Sequence, residues 1–152
     1  MYRKNKNINT EKWDEKNYII LNEILKKEIR KKVIKTKTIL VVDDEPDIRK
    51  SVKMILESKG YKIVMATNGD DCLKKLEKQT PDLILLDIMM PGTPVSEVIK
   101  QIKDIKIAFM SVVRISEARK KGLCEQGNIV DFLQKPFNVD DLISRVKLHL
   151  GE

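Results

Sequence analysis

The sequence predicts an α/β domain with a doubly wound, parallel sheet of five strands, preceded by a basic helical extension. Three observations predict it. Short apolar runs alternate with segments of helical period five times over. One run, Leu83 to Leu86, is apolar at every position. Charge is so unevenly placed that the first quarter of the chain separates from the rest. Strict alternation of strand and helix implies right-handed crossovers between parallel strands. A run with no polar side is a strand covered on both faces, as at the centre of a parallel sheet.

Residues 1 to 37 hold twelve Lys or Arg against five Asp or Glu, whereas residues 38 to 152 hold eighteen of each, so the whole net charge of +7 belongs to the extension. We therefore divide the chain into residues 1–36, a basic extension, and residues 37–152, a charge-balanced domain. Within the extension, residues 13–34 place Tyr18, Leu21, Leu25, Ile29 and Val33 near one face, with Ile20 and Ile24 beside them and lysines opposite. That spacing predicts an amphipathic helix after a polar, disordered start.

The predicted strands are Thr38 to Val42, Tyr61 to Met65, Leu83 to Leu86, Ile105 to Met110 and Ile129 to Leu133. Ile48, Val52, Ile55 and Leu56 mark one helix face, Val95, Val98, Ile99 and Ile102 another, and Leu142, Val146 and Leu150 a third. Pro46 and Pro94 suit first helical turns, Gly60 closes the helix after the first strand, and Asn138 with Asp140 and Asp141 caps the last helix.

Composition narrows the function. No stretch approaches the eighteen or more apolar residues of a membrane span, and the N-terminus lacks a secretory pattern, so a cytoplasmic setting is expected. Cys72 and Cys124 have no CxxC spacing and no histidine nearby, which favours reduced thiols over a metal or redox role. His149 stands alone and reads as a surface or packing residue. The segment "GLCEQGN" has two glycines at phosphate-loop spacing but lacks the following Lys and Ser or Thr, so it reads as a helix end and loop.

Ligands of doubly wound sheets bind at the carboxyl ends of the strands. Asp43 and Asp44 end the first strand, Asp87 the third and Ser111 the fourth, while Lys135 lies just past the fifth. Two carboxylates about 4 Å apart repel by roughly 1 to 4 kcal/mol at effective dielectrics between bulk water and a protein surface. Three together call for a cation, and oxygen-only ligands open to solvent favour Mg²⁺. A carboxylate in such a site can attack phosphorus while metal and lysine neutralise the developing charge. Asp43 alone would serve equally well as a strand-end cap, and Ser111 alone would signify nothing; the constellation carries the reading.

The segments "LVVDDEPD", "LILLDIMMPG" with Asp87, "KIAFM" followed by Ser111, and "DFLQKPF" with Lys135 resemble the receiver domain of two-component response regulators over about residues 37 to 150. The resemblance implies a flavodoxin-like sheet of strand order 2-1-3-4-5 and a cis Lys135-Pro136 bond. It implies Asp87 as phosphoacceptor and a Mg²⁺ (or Mn²⁺) site made by Asp43, Asp44, Asp87 and the backbone carbonyl of Met89. Ser111 and Lys135 would hold the phosphoryl oxygens, and Ser111 with Phe132 would form the switch. Phe132 taken alone is equally a core residue. The implied partners are a sensor histidine kinase or histidine phosphotransfer protein and a target at the face of the receiver's fourth helix, fifth strand and fifth helix.

Two positions depart from the family pattern. Val95, preceded by Pro94, stands where a glycine is usual, which stiffens the loop into the third receiver helix. Val112 follows Ser111 where a small residue is common, and its branched side chain is expected to narrow access to Asp87. Neither change removes a reacting group.

The leading function is thus a stand-alone receiver switched by phosphorylation, with output through partner binding or the extension, because little chain follows the last predicted helix. The alternative is a non-switching interaction module that uses the fold and the basic helix to bind a partner. An aspartate-nucleophile phosphatase fits poorly, since Glu45 stands where its second aspartate would be. For the basic helix, self-association or packing on the receiver is the first expectation, docking to another protein or an acidic membrane surface the second. Nucleic-acid contact is last, for want of a helix-turn-helix pattern.

Overall fold

Alternate residues of each strand feed two separate apolar layers, and this parity organises the domain. In the computed structural model, which describes residues 14–32 and 35–152, strand β1 (Thr38–Val42) sends Ile39 and Val41 to one face of the sheet and Leu40 and Val42 to the other. Strand β3 (Leu83–Asp87) does the same with Leu83 and Leu85 against Ile84 and Leu86, and all five of its residues are buried. The continuous apolar run in the sequence therefore has its predicted cause: helices cover both sides.

Helices α2 (Pro46–Glu57) and α6 (Val139–Leu150) cover the first face through Val52, Leu56, Leu142 and Val146. Helices α3 (Gly69–Lys78), α4 (Val95–Lys100) and α5 (Glu117–Cys124) cover the other through Cys72, Val98, Ile99 and the partly buried Leu123. With β2 (Lys62–Ala66), β4 (Lys106–Ser111) and β5 (Ile129–Gln134), the strands form one parallel sheet in the order β2-β1-β3-β4-β5. This is the doubly wound sheet expected.

The caps follow the sequence signals. Pro46 opens α2, where its missing N–H is no loss. The side chains of Asn68, Ser116 and Asn138 accept hydrogen bonds from Asp71 N, Arg119 N and Asp140 N at the starts of α3, α5 and α6. Pro94 is the residue just before α4 rather than within it, and α4 stops at Lys100, so the buried Ile102 belongs to the turn that follows. Gly60, at φ +90°, closes the turn into β2. Strand β2 starts one residue later than its apolar run because Tyr61 N bonds back to Leu56 O.

The chain divides into two units, Met1–Lys35 and Thr36–Glu152. The first contains helix α1 (Glu15–Lys32). Asp14 caps it, its carboxylate accepting from Asn17 N at 2.7 Å, and Glu23 pairs with Lys26 at 3.6 Å. Trp13, Val33 and Ile34, which the sequence assigns to the same helix, lie outside the described residues. No described helix is long and apolar enough to cross a membrane.

Candidate functional site

Three parallel strands deliver their last residues to one edge of the sheet. Asp43 directly follows β1, Asp87 ends β3 beside Met110 of β4, and Lys135 directly follows β5. Carboxylate oxygens of Asp43, Asp44 and Asp87 lie within 4.8 Å of one another. Asp43 and Asp87 are buried and Asp44 is exposed, so the cluster opens to solvent on one side only.

Asp43 and Asp87 are held alike. Oδ1 of each accepts from the backbone N–H two residues on, Asp43 from Glu45 N and Asp87 from Met89 N, both at 2.9 Å. Oδ2 of each accepts from the ammonium of Lys135, which lies 3.1 Å from Asp87 and closer still to Asp43. The turns that end the strands thus orient the carboxylates, and one buried cation bridges them. Arg49 Nη1 donates to the backbone oxygen of Asp43 at 2.7 Å and fixes the β1–α2 turn from the other side.

The electrostatics follow from burial and charge count. Burial raises the pKa of Asp87, the Met89 N–H and Lys135 work against that rise, and the Asp43 charge adds to it. For Lys135, burial acts to lower the pKa, but Asp43 and Asp87 outweigh it and the pKa is raised, so the ammonium stays charged. One ammonium against three carboxylates leaves the site with a negative excess. Hard oxygen donors, one of them solvent-facing, fit Mg²⁺ or Mn²⁺.

Ser111 ends β4, and its hydroxyl is turned to the backbone of Val113, donating to the oxygen at 2.9 Å and accepting from the nitrogen at 3.1 Å. Phe132 is half-buried on β5, its ring 5.4 Å from that of Phe109 and tilted by 41°. Ser111 and Phe132 line one cavity of about 280 Å³ together with Lys120, whose ammonium sits 5.8 Å from the Phe132 ring centre. The Lys135-Pro136 peptide is cis. Val112 is exposed beside Ser111, and the Met89 side chain is exposed as well.

Two features were not read from the sequence. Arg49 is one: its spacing from Asp43 marks it only once α2 is known to begin at Pro46. The other is a cluster on the β5–α6 face, where Asp131 Oδ1 accepts from Arg145 Nη1 at 2.6 Å and Asp131 Oδ2 meets His149 Nε2 at 2.8 Å, while Arg145 also bonds Asp141. An aspartate inside the apolar run of β5 was the available signal.

A doubly wound parallel sheet with an acidic cluster and a lysine at its carboxyl edge defines a class: α/β domains that handle phosphoryl groups with a divalent cation. Residues 39–147 match the sequence profile of the response regulator receiver domain, and the chain belongs to that family, whose members are phosphorylatable two-component switches. It is 38% identical over 113 residues to the alkaline phosphatase synthesis transcriptional regulatory protein PhoP of Bacillus subtilis, an alignment covering 73% of this chain and 47% of that protein. Over 117 residues it is 36% identical to the phosphate regulon transcriptional regulatory protein PhoB of Escherichia coli, covering 73% and 50%. The chain thus spans about half the length of the curated relatives it matches. Among solved structures, a CheY-like receiver domain protein of Methanospirillum hungatei is 33% identical with a TM-score of 0.67, covering 76% of this chain and 94% of that one. The response regulator TrrA of Thermotoga maritima, solved in complex with Mg²⁺ and BeF, is 38% identical with a TM-score of 0.63, covering 75% and 99%.

Proposed function

We propose that Asp87 accepts a phosphoryl group from a phosphohistidine on a sensor kinase or phosphotransfer protein, and that the chain signals by the change of surface that follows. The observation that carries this reading is the Lys135 bridge: one buried ammonium holds Asp87 beside Asp43 in an acidic cluster whose third member, Asp44, is exposed. An oxygen of the Asp87 carboxylate attacks phosphorus, the phosphorus–nitrogen bond breaks, and the imidazole nitrogen leaves with the electron pair. Asp43, Asp44, Asp87 and the Met89 carbonyl would hold Mg²⁺ or Mn²⁺, which when bound screens the phosphoryl oxygens from the carboxylates. Lys135 stays charged and faces the acceptor throughout.

Phosphorylation replaces the single charge of the Asp87 carboxylate with about 1.5 to 2 on the phosphoryl group, a net gain of about 0.5 to 1 negative charge at an already acidic edge. Ser111 would exchange its Val113 contacts for a phosphoryl oxygen, and Phe132 would turn into the cavity it shares with Ser111. The surface so repacked is that of α5, β5 and α6, the receiver's fourth helix, fifth strand and fifth helix, where a target protein would dock. This is a shift between two packings. We assign residues 37–152 to the switch, residues 1–36 to a separate extension, and both to a cytoplasmic setting.

The test is incubation with Mg²⁺ and a small acyl phosphate followed by mass spectrometry of the intact protein. One added phosphoryl group is expected, lost in Asp87→Asn and on chelation of the metal. No adduct on wild type, or an equal adduct on Asp87→Asn, overturns the assignment.

A further inference from the structure

Exposed apolar surface is concentrated on α1. Of the large apolar side chains that stand exposed among the described residues, seven belong to this one helix, namely Tyr18, Ile19, Ile20, Leu21, Ile24, Leu25 and Ile29, while the whole second unit contributes six. All but Ile19 lie on one broad face by helical spacing. Most helical stability in proteins comes from packing of an amphipathic face rather than from propensity. The face needs an occupant.

Charge along the helix selects that occupant. Residues 14 to 23 carry Asp14, Glu15 and Glu23 against Lys16, whereas residues 24 to 32 carry five Lys or Arg against Glu28. One half is acidic and the other basic. Side by side and parallel, two copies would set acidic half against acidic half and basic against basic. Antiparallel, each acidic half meets a basic half, and Leu21 and Leu25 of one copy meet Leu25 and Leu21 of the other close to the two-fold axis. An anionic lipid surface suits the basic half but repels the acidic one, so a second copy is the better complement.

The geometry points to an antiparallel homodimer formed through α1, the two helices joining on the Tyr18, Leu21, Ile24, Leu25 and Ile29 face. The pairing is isologous, so it closes at two chains. It does not depend on phosphorylation of Asp87, and it brings two receivers into one assembly whatever the state of either.

The experiment is sedimentation velocity of the full chain over a hundredfold concentration range, with and without acyl phosphate and Mg²⁺. A monomer–dimer equilibrium is expected in the unphosphorylated protein. Leu21→Asp with Leu25→Asp should weaken it at least tenfold while leaving the phosphoryl adduct intact, which shows the receiver still folded. Reversing Glu15 to Lys should weaken it, and reversing Lys31, which this register sets opposite, to Glu in the same chain should restore it. A wild type that stays monomeric throughout overturns the inference, whether the face proves to pack on its own receiver or to carry the protein onto vesicles of anionic lipid. So does a dimer that survives the double Leu→Asp change or that ignores the charge reversals.

Discussion

The ammonium of Lys135 stands 3.1 Å from Oδ2 of Asp87, a residue 48 positions earlier in the chain, and the same nitrogen holds Asp43. All three groups are buried, so deleting the cation leaves two neighbouring buried carboxylates without a countercharge, each keeping only its backbone N–H bond. Removing one member of a buried ion pair costs about 3–5 kcal/mol. Lys135→Met is expected to lose about that much in urea unfolding without divalent cations, and to recover part of it when Mg²⁺ is added. An unchanged midpoint would show that the bridge contributes nothing to stability.

Asp87 makes the opposite prediction. Burial raises its pKa in the folded protein, so the folded state holds the proton more tightly than the unfolded chain. Stability from this group is fully present below the unfolded value of about 3.9 and is lost as pH rises through the raised folded value. Asparagine has no charge to lose. Without metal, Asp87→Asn should therefore unfold at a higher temperature than wild type at neutral pH, with an advantage that shrinks as pH falls back through that window. Melting curves that keep a constant separation at every pH would contradict this.

Gly69 permits the close approach of α3 to α4. A Cβ at this position would lie 2.5 Å from Cγ2 of Val98, a buried, β-branched side chain with little freedom to move. Gly69→Ala should cost about 1–3 kcal/mol by overpacking. Combined with Val98→Ala the clash disappears, so the double variant should be more stable than the sum of the single losses requires. Strict additivity in denaturant titrations would refute the contact.

Val112 stands exposed beside Ser111. Val112→Ala should speed both formation and hydrolysis of the acyl phosphate by opening the approach to Asp87. Time courses read by intact mass check this, and equal rates in the two proteins would sink it.

The two thiols should differ sharply. Burial, with a contribution from the Asp71 charge, pushes the Cys72 thiol up to about 12, whereas Cys124 is exposed. A maleimide at pH 7.5 is expected to label Cys124 rapidly and to reach Cys72 only on unfolding. Rapid double labelling of the native protein would be inconsistent with the packed α3.

The strands were legible because they are short apolar runs bounded by charge: β1 begins at Thr38 and ends at Val42 in both readings. Helix α5 was not legible as a stripe, because Glu117–Cys124 contains few apolar residues and packs mainly through Leu123. In α4, Ile102 keeps the helical spacing and is buried, yet the helix has already ended, so periodicity overran the backbone. Asp43, Asp44, Asp87 and Lys135 could be gathered from sequence because parallel strands all deliver their carboxyl ends to one edge. The reach of Arg49 to Asp43 O and of His149 to Asp131 could not, because both depend on how a helix lies across a strand. His149 proves to be a packing residue with a charged neighbour, buried enough that only 14% of its side chain is exposed.

The parity of the strands has an outcome for how such a protein can diversify. Asp87 follows Leu83 and Leu85 toward the layer of α2 and α6, while Ser111 follows Ile107 and Phe109 toward the layer of α3, α4 and α5, where Phe132 also packs. The sheet is thus a partition: under the proposed function, the chemistry would begin on one side and its mechanical consequence be registered on the other, with the end of β4 as the crossing point. Under that proposal, substitutions in the α5 layer would retune which partner is recognised while Asp87 and its acidic neighbours, on the other side of the partition, keep their geometry.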